Sequence, residues 1–401
     1  LKEFGWSRAD TALIFSLNIL VYGATAPIAG ALVDRFGPRK AMPAGALLLT
    51  AAAGLSALGN SIWHFLIFYG VLMAIGACIA GWIPHSAMAA RWFVKRRGLA
   101  LSAIAAGFGL SLLMAPVVQY LISTLGWRWA FAVMGSCVFA IVLPLEAIIP
   151  RRQPEDMGLQ PDGASASNTS AMRAASVSAE ALVVDKKWAA TDWTLRKAMK
   201  TRRFWLQFMA GFCLWGMAQT LILAHQVAFI VDIGYSTMFG ALIFSLYGVF
   251  SITGNLLGSI SDWIGREMTV TLGVTSAVLG MLMLLLANFI QQPVLLYLYA
   301  VLFGLGVGIN SPTIVAIAAD IFPGRHFGAI YGMISTAFGI GGAISPWLGG
   351  RIFDATGSYA WAFAITAVSA SLACPLMWLA SPRKVRLVPG RVKKAAAPKG
   401  S

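Results

Sequence analysis

Charge is what this chain has least of. Lysine, arginine, aspartate and glutamate together make up 11% of its residues, against roughly 25% in a soluble domain. The shortage is sharpest in carboxylates, with fifteen Asp and Glu facing thirty Lys and Arg. Water cannot solvate a surface so poor in charge, which excludes a soluble globular domain. Cysteine is also scarce. Cys78, Cys137, Cys213 and Cys374 all sit in apolar runs, and no pair has metal-ligand spacing. That excludes a disulfide scaffold, and the four read as small apolar residues. The sequence carries no ATP-binding Gly-rich loop, no metal cluster and no nucleophile triad, so neither a cofactor nor an enzymatic activity is expected.

What is present is apolar. Hydrophobic residues make up 58% of the chain. Eleven apolar segments are long enough to span a bilayer, which needs about 20 residues each. They lie near 11–33, 41–60, 63–90, 99–122, 129–150, 204–231, 238–260, 268–289, 293–318, 327–349 and 359–380. The net charge of +15 would suit nucleic acid, but its placement does not. Every Lys and Arg falls in a loop, a tail or a segment end, and the loops alternate. One set holds Arg35, Arg39 and Lys40, then Arg91, Lys95, Arg96 and Arg97, then Arg266, then Arg325; the other holds only Arg128 and Arg351. The positive-inside rule makes the rich set cytoplasmic, together with the mid-chain linker and the C-terminal tail. The excess is therefore topology and contact with anionic headgroups.

One loop is written twice. Gly30-Ala-Leu-Val-Asp34-Arg35-Phe-Gly37-Pro-Arg39-Lys40 returns as Gly258-Ser-Ile-Ser-Asp262-Trp-Ile-Gly265-Arg266. At nearly the same offset Pro84 maps to Pro312, Phe108-Gly109 to Phe338-Gly339 and Trp129-Ala-Phe-Ala to Trp361-Ala-Phe-Ala. A parallel repeat through a hydrophobic chain is the mark of a transporter built from two similar halves. The organisation expected is a first half-bundle at 1–150, a polar linker at 151–203, a second half-bundle at 204–382 and a basic tail at 383–401. Within the linker, 192–201 reads as a short helix on the membrane face, anchored by Trp193 and Leu195. Five segments precede the linker and six follow it. The repeat places the missing partner of 204–231 just upstream of residue 1, so twelve helices are expected, of which eleven are in this chain. Small residues at Gly328-xxx-Gly332 and from Gly339 to Gly350 suggest a helix that packs tightly, since helices in lipid join through close approach.

The loop Gly-xxx-Asp-Arg-x-Gly-x-Arg-Lys resembles the signature loop of the major facilitator superfamily, and its echo at 258–266 strengthens the likeness. Trp92-Phe93-Val-Lys95-Arg96-Arg97-Gly-Leu-Ala100-Leu-Ser102-Ala-Ile-Ala-Ala-Gly107 is similar to the second signature of its monocarboxylate porter branch, which includes oxalate–formate antiporter relatives. Phe4-Gly-Trp-Ser-Arg-Ala and Gly357-Ser-Tyr-Ala-Trp-Ala-Phe also fit. The resemblance implies an all-α integral membrane fold of two pseudo-symmetric helix bundles. It implies a cytoplasmic lock in the outward-open state, in which Asp34 and Asp262 meet helix N-termini, with Arg35, Arg39, Arg97 and Arg266 around them. It also implies a binding arginine on the eighth helix, about eight residues before the loop aspartate. Here that place is Gly254, followed by Asn255. The missing first helix supplies the cation, or neutral donors hold the substrate, or the substrate is not an anion.

Substrate in such folds binds near the midplane between the halves, where a charge would mark the site. None lies there; the deepest carboxylates are Glu146 and Asp320. The polar candidates are His225 and Gln226, Asn18 and Tyr22 one turn apart, Gln119, Tyr247 and Asn255 on one helix face, and Asn310 before the helix-bending Pro312. His225 leads, because its titration range suits proton exchange. His85, after Pro84, reads as structural. The function expected is a secondary transporter acting as a monomer in the cytoplasmic membrane. It would move a small organic monocarboxylate by alternating access, as a proton symporter or an anion antiporter. One rival is an exporter of hydrophobic or neutral compounds, although 107–116 lacks the Gly-Pro-x-x-Gly-Gly of antiporters in that group. The other is a membrane sensor that binds ligand without moving it, with the linker as its output.

Overall fold

The computed structural model describes residues 4–6, 8–93, 97–151, 154–159, 182–324, 326–388 and 390. Eleven helices in it are long and apolar enough to cross a membrane. They are α1 (Asp10–Val33), α2 (Pro38–Ala57), α3 (Ile62–Ser86), α4 (Ala100–Leu125), α5 (Trp127–Ile148), α6 (Arg202–Asp232), α7 (Thr237–Ile264), α8 (Arg266–Ala287), α9 (Pro293–Ile321), α10 (Phe327–Thr356) and α11 (Ala360–Lys384). Each of the eleven apolar segments read from sequence has one of these helices as its counterpart. Among the described residues the extended structure amounts to one antiparallel bridge, Val183 with Arg386.

The repeat is visible in the backbone. Gly37 ends the turn between α1 and α2 with φ 81°, and Gly265 ends the turn between α7 and α8 with φ 103°. Each amide donates back four residues, to Val33 O at 2.9 Å and to Ser261 O at 3.2 Å. Both turns need a left-handed residue directly before the next helix, and only glycine takes that conformation without strain. Helix starts elsewhere follow from side-chain capping: the Thr201 hydroxyl accepts from Phe204 N before α6, and the Ser236 hydroxyl from Phe239 N before α7. Three helices contain a π-helical stretch, at Leu66–Met73, Val138–Val142 and Phe212–Gln219. α3 breaks at Gly81 and resumes as Trp82–Trp92.

α1 to α5 form the first bundle and α6 to α11 the second. In the second, glycines bring backbones into contact. A Cβ on Gly280 of α8 would lie 2.6 Å from Phe303 N of α9, and one on Gly254 of α7 would lie 2.5 Å from Leu305 O. Such contacts supply the dispersion that must join helices where lipid is as apolar as the side chains.

The end of the linker is part of the second bundle. The Trp188 indole donates to Ile321 O at the end of α9, at 2.6 Å, and the Trp193 ring lies 4.5 Å from that of Trp188 and 5.2 Å from that of Phe322. The expected membrane-face helix at 192–201 is instead one turn, Leu195–Ala198, and Trp193 is only 6% exposed. The reason is that its indole finds an acceptor at Trp188 O, 3.1 Å away, and an aromatic wall beside it. Those satisfy both halves of its amphipathic ring better than a headgroup layer can. The tail joins in: Val184 N donates to Val385 O at 2.9 Å and Leu387 N to Leu182 O at 2.7 Å. Trp188→Ala is expected to loosen this cap by about 3 kcal/mol, the low end for a large aromatic truncation. Limited trypsin digestion should then cut faster at Lys186 and Lys187, with the bundles otherwise intact.

Candidate functional site

The halves meet along two antiparallel helix pairs. α1 crosses α10 where a Cβ on Gly23 would sit 2.6 Å from Gly339 Cα; α4 crosses α7 where a Cβ on Gly109 would sit 2.8 Å from Gly248 O. Both crossings fall near the middle of their helices. From there toward the face carrying the basic loops the halves stay together. Gly332 packs at Pro27, with a Cβ at 3.5 Å, and Asn255 Nδ2 donates to Ala105 O across the halves at 3.1 Å. Between α1, the resumed part of α3 and the start of α10 lies a small pocket, lined by Gly30, Val33, Ile83, Pro84, Ser86, Phe327, Gly328 and Tyr331. None of these is charged. Its side-chain polar groups are the Tyr331 hydroxyl and the Ser86 hydroxyl, the latter buried with no partner.

The polar candidates separate into two groups. Four face the interior of the second bundle. His225 Nε2 donates to Pro346 O at 2.7 Å, and its Nδ1 accepts from the Tyr359 hydroxyl at 3.3 Å, which ties α6 to α10 and to the start of α11. Gln226 Oε1 accepts from the Tyr299 hydroxyl at 2.6 Å. The Tyr247 hydroxyl accepts from Gln219 Nε2 at 3.2 Å and its ring stacks on Phe303. Asn310 Nδ2 donates to Gly306 O at 2.9 Å, with its amide against Gly273 of α8. Of the other four, Tyr22 and Asn255 touch the opposite half. Asn18 Nδ2 donates to Tyr69 O, in the π stretch of α3, at 2.7 Å. Tyr22 presents its ring edge-on to Phe338 of the other half, with centroids 6.5 Å apart. Gln119 is half-buried on α4, and Asn255 makes the cross-half bond to Ala105. Neutral donors and aromatic faces are what this region can offer a ligand.

Of the proposed lock residues, Arg266 is the best held. Its guanidinium reaches Asp262 Oδ1 at 2.7 Å and Asp320 Oδ2 at 2.9 Å, and bonds the Ser261 hydroxyl. All four groups belong to the second half. Arg39 donates to Ile148 O at 2.7 Å, and Arg35 lies over the Phe36 ring. The side chains of Asp34 and Arg97 lie outside the described residues.

Sequence reasoning missed two charged groupings. Asp320 reads from the sequence as a deep carboxylate without a partner; the signal for its partner is its place in the last turn of α9, level with the loop that carries Arg266. Asp320→Asn should destabilise the second bundle by about 1.5–3 kcal/mol, the value of a charged hydrogen bond. Asp262→Asn should cost less, because Asp262 is more exposed, at 36% against 14%. Thermal unfolding of the two variants checks the order. The second grouping is His85 with Glu146, whose Nε2 and Oε1 are 3.2 Å apart. Nothing in the sequence marks α3 and α5 as neighbours at that level.

The model for the Major Facilitator Superfamily matches residues 1–315 and, in a second match, 289–401. Monocarboxylate transporter 11 of Homo sapiens is 24% identical, with the match covering 91% of this chain and 73% of that protein. The uncharacterised MFS-type transporter YcxA of Bacillus subtilis is 27% identical over 88% of this chain and 82% of its own length. Monocarboxylate transporter 13 of Bos taurus is 22% identical, over 91% and 79%. Among solved structures, the proton:xylose symporter XylE bound to 6-bromo-6-deoxy-D-glucose superposes with a TM-score of 0.69 at 19% identity, covering 92% of this chain and 84% of that one.

Proposed function

The chain belongs to the major facilitator superfamily and is a multi-pass membrane transporter, and from that premise we propose that it moves a small organic monocarboxylate across the cytoplasmic membrane. The observation that carries the substrate class is the match to monocarboxylate transporters along nine-tenths of the chain. The glycine seams support alternating access. Two compact bundles touch along backbones and so can rock as rigid bodies about those lines. In this reading the chain works as a monomer, the basic loops, linker and tail are cytoplasmic, and the movement is coupled to protons or to a second anion. Asp34, Arg35, Arg39 and Arg97 with Asp262 and Arg266 serve the lock on the basic face. In this reading substrate meets Tyr22 and Asn255 at the seam, with Asn18 and Gln119 as further contacts from the first half. His225, Gln226, Tyr247 and Asn310 shape the second bundle behind it.

One observation favours a second reading, export of a neutral or hydrophobic compound: the pocket at the seam carries no charge. The test is counterflow into liposomes holding the purified protein. Exchange of labelled short-chain monocarboxylates, saturable and stopped by excess unlabelled acid, is the result expected. Exchange of neutral amphiphiles alone would favour the exporter, and binding without any exchange would overturn transport altogether.

A further inference from the structure

We propose that His85 and Glu146 form a proton-binding site that latches the first half shut on the basic face, so that release of one proton opens the seam. The proposal rests on the transport reading, and it names the proton as a coupling ion.

His85 Nδ1 lies 2.7 Å from Gly81 O. A carbonyl oxygen only accepts, so Nδ1 carries a hydrogen. The opposite nitrogen, Nε2, lies 3.2 Å from Glu146 Oε1. A carboxylate only accepts, and an imidazole nitrogen without hydrogen only accepts, so this second contact also requires a proton between them. Either the ring is a cation beside a carboxylate, or the ring is neutral and the carboxyl donates to it. In both cases the pair holds one proton more than neutral histidine with ionised glutamate. Glu146 is 6% exposed, and its Oε2 has no partner. Once the shared proton leaves, a buried carboxylate faces a nitrogen lone pair with no donor, an arrangement that burial penalises strongly.

The pair sits on a hinge. Glycine is required at the break in α3, because a Cβ on Gly81 would strike Ala77 O. Pro84 removes a further backbone donor. The His85 ring thus holds Trp82–Trp92 from both sides, through Gly81 O behind the break and through α5. The residues flanking it, Ile83, Pro84 and Ser86, share the first half's wall of the pocket with Gly30 and Val33 of α1, facing Phe327 and Tyr331 of α10. Movement of this segment moves the wall. The His85 side chain is itself 32% exposed, against 8% for that of Glu146.

Other titratable groups on the surrounding elements are Tyr22 on α1, whose hydroxyl lies beside the Gly81 break, Asp34 and Arg35 at the end of α1, Arg39 and Lys40 at the start of α2, Cys78 before the break and Arg91 after it, Arg97 leading into α4, and His326 with Tyr331 on the α10 side. Arg39 is turned to Ile148 O, and Arg151 to Ile148 O and Pro150 O.

The closed form binds the extra proton, so acid favours it and rising pH opens the seam. Hydrogen–deuterium exchange of the 82–92 segment, in the full-length protein in nanodiscs, reads the effect at about pH 5.5 and about pH 8.5, values on either side of the ordinary histidine range. After correction for the intrinsic pH dependence of exchange, the segment should exchange at least roughly fivefold faster at the higher pH. Glu146→Gln supplies an amide that donates to neutral His85 at every pH, so in that variant the pH dependence should vanish with protection retained. Alkylation of a Ser86→Cys variant by an impermeant maleimide, compared with and without Glu146→Gln, gives an independent reading. The same pH response in both backgrounds, or none in either, would overturn the latch. Counterflow is measured separately, so failure of the latch leaves the transport reading standing, and loss of counterflow with the pH response intact removes transport alone.

Discussion

Gly23→Val is expected to slow exchange about tenfold to a hundredfold while both bundles stay folded. A Cβ at this position would lie 2.6 Å from Gly339 Cα and 3.1 Å from Gly339 N. Both helices are continuous there, so neither backbone yields locally and the whole helix must shift. Overpacking of this kind costs roughly 1–3 kcal/mol. Because α1 and α10 belong to different halves, that cost falls on their approach and not on either bundle. At about 1.4 kcal/mol per factor of ten, the closed population drops by the stated range. Counterflow rate and thermal unfolding, measured on the same preparation, check it. A tenfold slower rate with an unchanged unfolding temperature is the expected pairing; an unchanged rate would show that the close approach of these two glycines does not limit exchange.

Gly308→Val should have the opposite signature. Its Cβ would meet Ser251 O, and would lie 2.8 Å from both Asn255 N and Gly254 Cα. These neighbours are all on α7, inside the same bundle. The second half itself is therefore destabilised, by about 3 kcal/mol, the upper end for overpacking against atoms that cannot move. Asn255 is displaced with α7, so its bond to Ala105 O is lost as well. A fall in unfolding temperature and in folded yield, with activity per folded molecule also reduced, is the outcome that separates this variant from the one at Gly23.

The spans were legible in the sequence because bilayer thickness dictates their length: the apolar run expected at 63–90 is the helix Ile62–Ser86 and its continuation past Gly81. The repeat was legible because Gly37 and Gly265 each obey a backbone rule that no other residue satisfies without strain. The direction of each polar side chain was not. A helix that is apolar all round gives no sign of which face looks inward. Tyr247 and Asn255 show the difficulty. Eight residues on a helix of 3.6 per turn leave about 80° between their directions, so Tyr247 points to Gln219 within its own half while Asn255 reaches Ala105 in the other. Trp193 shows another. Amphipathic spacing suits a headgroup layer and an aromatic pocket equally, and only the presence of Trp188 and Phe322 decides. His85 and Glu146 belong to different helices whose adjacency follows from packing.

The bridge between Val183 and Arg386 has a bearing on how the molecule is made. Its two strands are separated in the chain by all six helices of the second bundle. On the ribosome, the segment carrying Trp188 emerges first and must wait, its edge unpaired, until α11 has entered the membrane and residues 385–387 have been released. Closing a loop of that length comes late, because its entropy must be met by contacts already formed. The clasp is therefore a completion mark: a chain truncated before Val385 would hold every span of the second bundle up to α11 and still leave the linker edge open to other partners.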